Sequence, residues 1–353
     1  MNAAAMDWLR APCAEPDIAA YREAENQQKQ LTKPAGSLGR MEELAIQLAA
    51  LQGSSSPQIK HVHISVFVGD HGIAVEGVSA FPQVVTTQMI KNFVQGGAAI
   101  SVAAKEIGAE LEVINLGTVH STDLFDLVRN YALGNGTANF TVEAAMSEGQ
   151  LVVALMAGRR AVERAFAKGM ELFIGGEMGI ANTSSATALA CALLGVCPKE
   201  ITGPGTGLDN AGLENKANLI QGALDLHKEF LTPPLQALRY LGGFEIAALA
   251  GAYIRCAQIG VPVLVDGFIA SSAALVATKV CPDIRHWLLF SHVSAEPGHQ
   301  VILQELNAKP LLDFGMRLGE GSGAAIALPI LRMACRLHNE MATFSNANIS
   351  GKQ

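Results

Sequence analysis

Hydrophobic and polar positions along this chain fall into two alternating kinds of segment. Short apolar runs occupy Val62 to Val68, Leu111 to Leu116, Leu172 to Ile174, Val261 to Val265 and Trp287 to Phe290. They stop at Gly69, Gly117, Gly175, Asp266 and Ser291. Between them lie longer stretches with helical spacing, at 83–94, 98–107, about 143–167 and 184–194. Short β-rich runs read as strands and longer periodic ones as helices. Their alternation predicts an α/β fold, a mostly parallel sheet covered by helices on both faces. In such sheets a ligand sits outside the carboxyl ends of the strands, and here those ends are polar and glycine-rich.

The ends of the chain read differently. Asp17 to Gln30 and a stretch from Ser37, a candidate cap, to Leu51 predict two helices joined by the turn Lys33-Pro34-Ala35-Gly36-Ser37-Leu38-Gly39. The apolar helix expected at about 322–340 is placed against them. Residues 1–58 plus 310–353 would then form a small helical domain beside a large one at 59–309.

Composition narrows the function classes. Of 353 residues, half are hydrophobic and 16% charged, with a net charge of −7 and no Lys/Arg run. That excludes a phosphate-tracking nucleic-acid binder. The apolar region Phe244 to Val280 is broken by Glu245, Arg255 and Asp266, so no membrane span is expected. Met1 to Asp7 carries neither the basic nor the apolar region of an export signal. Six cysteines without a C-x-x-C pair, most inside apolar runs, fit a reduced, cytoplasmic protein.

The chemistry lies in acids framed by glycine. Gly319-Glu320-Gly321, Gly175-Gly176-Glu177-Met178-Gly179 and Gly242-Gly243-Phe244-Glu245 each present a carboxylate from backbone that glycine leaves free to turn. Asn182 or Thr183 is a candidate cap for the helix after Glu177. Gly203-Pro204-Gly205-Thr206-Gly207 before a helix bearing Lys216 reads equally as a phosphate cradle or an ordinary turn. It is no Walker loop, and no dinucleotide fingerprint follows the first strand, which weakens an NAD-linked oxidoreductase. Asp70-His71 lacks a second ligand at metal spacing and reads as substrate positioning. No G-x-S-x-G elbow is present.

Taken in order, the motifs resemble the nicotinate-nucleotide:dimethylbenzimidazole phosphoribosyltransferase family. The matching stretches are Lys33 to Gly39, Gly69 to Gly72, Glu76 to Pro82, Gln95 to Ile100, Gly175 to Thr183, Gly203 to Asp209, Gly242 to Ala250, Asp266 to Phe268 and Arg317 to Ala324. Ala181 departs from the glycine expected there. The resemblance implies a Rossmann-like sheet, a homodimer, no metal and no organic cofactor. It implies transfer of phosphoribose from nicotinate mononucleotide to 5,6-dimethylbenzimidazole. Glu320 would be the general base and Glu177 a second catalytic carboxylate. Gly203, Gly205 and Lys216 would surround the phosphate and Asp266 the ribose. Ser79, Phe81, Gln88 and Met178 would line the flat base, and Gly179, Ser291 and Gly319 would complete the binding residues. A binding-only regulator that has lost turnover is the rival from another class, and intact Glu177, Lys216 and Glu320 speak against it.

Overall fold

The computed structural model describes residues 3–120 and 127–350. Met1 and Asn2, where the export-signal reading begins, and residues 351–353, where the small helical domain would end, lie outside them. Six strands form one parallel sheet among the described residues: β1 (Val62–Gly69), β2 (Glu110–Gly117), β3 (Arg129–Asn130), β4 (Leu172–Met178), β5 (Val263–Val265) and β6 (Leu288–Phe290). Their order is β3-β2-β1-β4-β5-β6, as in the doubly wound dinucleotide-type sheet. The chain winds outward from β1 on one side and from β4 on the other. β1 and β4 therefore form the switch point of the sheet, the place where doubly wound sheets bind ligands outside the carboxyl ends of their strands.

Every residue of β1 is buried, which accounts for a run without polar alternation. Val62, Ile64, Val66 and Val68 share a core with Leu44 and Leu48 of the Arg40–Gln52 helix and with Leu328 and Leu331 of the Ser322–Glu340 helix. Phe67 points the other way and joins Phe173 of β4, Leu155 of the Glu148–Phe166 helix and Leu249 of the Phe244–Gln258 helix. These last two helices meet backbone to backbone. A Cβ on Gly158 would stand 1.8 Å from the Ala248 oxygen, and one on Gly251 2.2 Å from the Leu155 oxygen. Phe244–Gln258 is apolar on most sides, with Glu245 and Arg255 the charged exceptions, because it is largely enclosed by protein. No helix among the described residues is long and apolar enough to cross a membrane.

Three local expectations need correction. The helix placed at about 143–167 begins at Glu148, because Ser147 and Gln150 close a capping box there. Ser37 does not cap the next helix, which follows Gly39 without any side-chain cap. Glu42 reaches back instead, accepting from the Gly36 and Leu38 N–H groups while pairing with Lys33 at 2.8 Å. And β4 does not end at Gly175: it runs on through Gly176 and Glu177 to Met178.

Candidate active site

The glycines inside β4 mark where another segment rests on the strand. A Cβ on Gly176 would lie 2.1 Å from the Glu320 carbonyl oxygen, and one on Gly319 would lie 2.3 Å from Glu177 Oε1. The turn carrying Glu320 thus crosses the end of β4 at a distance only glycine permits. Glu320 itself has φ 67 between Gly319 and Gly321, both at φ 88. A left-handed backbone costs a non-glycine residue about 1–2 kcal/mol, strain of the kind that functional sites hold.

Asp266, just beyond β5, fastens this turn. Its Oδ2 accepts the Gly321 N–H at 3.2 Å and its Oδ1 the Ala324 N–H at 2.8 Å. A carboxylate there also meets the positive end of the Ser322–Glu340 helix. The Glu320 side chain points to a second helix start, where Oε2 accepts the Ile100 N–H at 3.3 Å. The Gln95 to Ile100 stretch thereby supplies an anchor for Glu320 through its last residue.

Asn182 and Thr183 do not cap their helix. Asn182–Leu194 starts after Ala181 at φ 76 with no side-chain cap. That positive φ is the reason glycine would be at ease at position 181. Freed from capping, Asn182 Nδ2 donates to Glu177 Oε2, and Thr183 Oγ1 accepts from Lys216 Nζ at 2.8 Å. Two neighbouring residues so connect the carboxylate half of the site to its cationic half.

The carboxylate half concentrates buried acids. Glu177, Glu245, Asp266 and Glu320 are all buried. Glu177 is pushed well above the usual glutamate range, by burial first and then by Glu245 and Asp266, against the Asn182 bond. Glu320 is raised by burial, with the Ile100 N–H opposing and Asp266 adding to it. Asp266 is raised by burial, while His292 and its backbone bonds pull it down. Glu245 Oε1 meets His71 Nε2 at 2.7 Å, and His71 Nδ1 meets Ser185 Oγ at 3.0 Å. Asp70 turns aside to the Val119 N–H at 2.9 Å. A pocket so rich in carboxyl groups suits a cationic guest.

In the cationic half, Lys216 is fully buried and donates to Thr183 and, at 3.2 Å, to the Gly203 carbonyl. Burial lowers it to about 8, with Glu296 pulling it up. Thr206 Oγ1 accepts the Ala80 N–H at 2.8 Å and meets Ser79 Oγ at 3.0 Å. Arg317 donates to the Gly205 carbonyl at 2.7 Å, which ties the glycine loop to the segment leading into Glu320.

The structure therefore gathers Glu177, Gly319, Glu320 and Asp266 on one side, and Ser79, Gly203, Gly205 and Lys216 on the other. Gly179 is held where a Cβ would meet the Gly69 oxygen at 2.2 Å, so it keeps β1 and β4 loops in contact. Met178 is partly buried against the core that contains Leu328. Ser291 Oγ faces His292 Nδ1 at 3.1 Å, and that nitrogen is 3.9 Å from Asp266. Phe81 and Gln88 are exposed. Motif reading named Asn182 and Thr183 only as caps and Arg317 only as the start of a matching stretch, and it passed over Glu296; the signals in the chain were Gly203, packed against Glu296, and Gly205, packed against Thr183. Among the described residues no group of three or more His, Cys, Asp and Glu could hold a metal ion.

Comparison with known proteins places the chain among related sequences. The family profile described as "Phosphoribosyltransferase" matches residues 13–349. A nicotinate-nucleotide:dimethylbenzimidazole phosphoribosyltransferase from Pseudomonas putida is 57% identical over 345 residues, covering 98% of either chain. Its counterpart from Pseudomonas aeruginosa is 54% identical over 347 residues, covering 98% of this chain and 99% of the relative. The crystal structure of the Thermus thermophilus enzyme of that name superposes with a TM-score of 0.90 at 40% identity, covering 95% of this chain and all of the other.

Proposed function

This chain belongs to the nicotinate-nucleotide:dimethylbenzimidazole phosphoribosyltransferase family and is a pentosyltransferase, and from that membership we propose a specific reaction for it. The 5-phosphoribosyl group of nicotinate mononucleotide passes to 5,6-dimethylbenzimidazole, giving α-ribazole 5′-phosphate and nicotinate. A benzimidazole nitrogen attacks C1′ of the ribose as the bond from C1′ to the pyridinium nitrogen breaks. The bonding pair stays with the pyridine nitrogen, which leaves neutral at that atom and needs no general acid. The proton on the other benzimidazole nitrogen goes to Glu320.

The observation that carries this reading is the seating of the Glu320 turn across β4, beside Glu177 and fastened by Asp266. A base works best when its pKa approaches the working pH, and burial moves Glu320 in that direction. Burial, Glu245 and Asp266 raise Glu177; a pyridinium cation beside it favours its ionised form and offsets that repulsion. As charge builds on the ribose, Glu177 stabilises it without reorganisation. Asp266 stands beside the ribose hydroxyls through the lone pairs its two backbone bonds leave free. Lys216 with Gly203 and Gly205 takes the 5′-phosphate. Ser79, Phe81, Gln88 and Met178 line the base, with Gly179, Gly319 and Ser291 shaping the walls.

The same proposal includes a homodimer in the cytoplasm and a small body formed by residues 1–58 plus 310–353. Liquid chromatography of a reaction with both substrates tests the chemistry. Nicotinate and α-ribazole phosphate are expected in equal amounts. Nicotinate with free ribose phosphate would indicate hydrolysis instead, and binding without either product would favour a regulator.

A further inference from the structure

Glu296 sits directly beneath the glycine loop and belongs to no motif. It is the residue before the Pro297–Glu305 helix, and its side chain does not cap that helix. The carboxylate points into the Gly203–Gly207 loop instead. Oε1 accepts the Gly205 N–H at 3.0 Å. Oε2 is buried and has no hydrogen-bond partner among the described residues. A Cβ on Gly203 would fall 2.0 Å from that oxygen. Glycine at 203 is therefore required by Glu296 as much as by any ligand. Across the loop, Gly205 lies against Lys216: a Cβ there would stand 3.4 Å from Nζ.

We propose that Glu296 is a positioning residue of the phosphate cradle, holding the Gly205 backbone and serving as the buried counter-charge of Lys216 until a substrate phosphate replaces it. The proposal rests on the reading that Gly203, Gly205 and Lys216 receive the 5′-phosphate. An ammonium group buried without a negative partner loses its proton, and a neutral amine attracts phosphate poorly. An anion placed beneath the loop keeps the charge ready. The other charged groups nearby do not fill this role. Asp209 is engaged with the Gly212 N–H of its own helix, and Lys199 and Glu200 on the Pro198–Ile201 turn are exposed. Arg317 approaches from the mouth through the Gly205 carbonyl and carries the wrong sign. Glu177 is held by Asn182, one residue away from the Thr183 that Lys216 contacts.

The sign follows from Lys216. Its charge, present below about 8, is lost as pH rises through that value. Wild-type kcat/KM for nicotinate mononucleotide, measured with saturating dimethylbenzimidazole, should therefore fall on the alkaline side. In Glu296→Gln, which keeps an acceptor for Gly205 but no charge, the fall should begin about one pH unit lower. kcat at saturating nucleotide should change less than KM. Gly203→Ala, which drives the carboxylate away from the other side, should shift the limb in the same direction. Glu296→Asp should restore part of the wild-type profile.

Coincident alkaline limbs for wild type, Glu296→Gln and Gly203→Ala would overturn the proposal, as would equal losses in kcat and kcat/KM at every pH. Lys216→Met separates the two levels. If that variant keeps the wild-type KM for the nucleotide, the phosphate reading itself fails. If its KM rises steeply while the Glu296→Gln limb stays in place, only the role of Glu296 fails.

Discussion

Glu320 holds its place against its own backbone preference, and that makes it separable from the fold. Replacing it with glycine or alanine removes the carboxylate equally, but only glycine relieves the φ of 67. Glu320→Gly should unfold at higher denaturant than Glu320→Ala, by about 1 kcal/mol, while both lack turnover. Equal stability would show that the turn relaxes when the carboxylate is gone. Glu177 gives a pH-dependent counterpart. A carboxyl raised in the folded state binds more protons there than in the unfolded chain. Its contribution therefore weakens the ligand-free protein as pH rises from 4.5, the ordinary glutamate value, towards its higher folded value. Glu177→Gln should gain Tm relative to wild type at about pH 8 and much less at about pH 5. A gap independent of pH would contradict the raised value. At this scale the sequence was informative where glycine framed an acid, as around Glu320, and silent where the partner came from far along the chain. Nothing near Asn182 says that it will donate to Glu177 rather than cap its helix.

Elements meet in this protein through missing side chains. β4 was legible as a strand only to Ile174, because two glycines and an acid resemble a loop until the Glu320 turn is seen lying on them. Gly176→Ala should lift that turn by forcing apart contacts of 2.1 Å, and should lower kcat by about 100-fold while the nucleotide KM stays near wild type. Undiminished kcat would mean the turn need not touch the strand. Gly251→Ala tests a junction remote from the chemistry. A methyl group facing the Leu155 oxygen at 2.2 Å overpacks the contact between Glu148–Phe166 and Phe244–Gln258. Chemical denaturation should show a loss of about 2–3 kcal/mol; a loss near zero would mean the helices separate freely. Helix starts were less legible than helix bodies. Ser37 has cap chemistry, but Glu42 reaches the same turn with a longer side chain and a nearby Lys33.

Across the whole molecule, strand order decides where chemistry is possible. Alternation along the chain was enough to read a parallel sheet with both faces covered; the order β3-β2-β1-β4-β5-β6, and hence the switch point between β1 and β4, is a long-range property that no local pattern encodes. Near that point the fold brings together Glu177 from β4, Asp266 from just beyond β5 and Glu320 from the turn before the last long helix. Light scattering in solution would weigh the homodimer, with the mass of two chains expected and that of one contradicting it. One of these carboxylates, Glu320, is proposed to take the benzimidazole proton. The direct test is product formation by wild type and Glu320→Gln side by side, following α-ribazole phosphate and nicotinate together across pH. Wild type should form both and lose activity as pH falls through the raised pKa of Glu320, while the folded variant loses most turnover and that acid limb with it. Equal product from both, with the same acid limb, would remove Glu320 as the base.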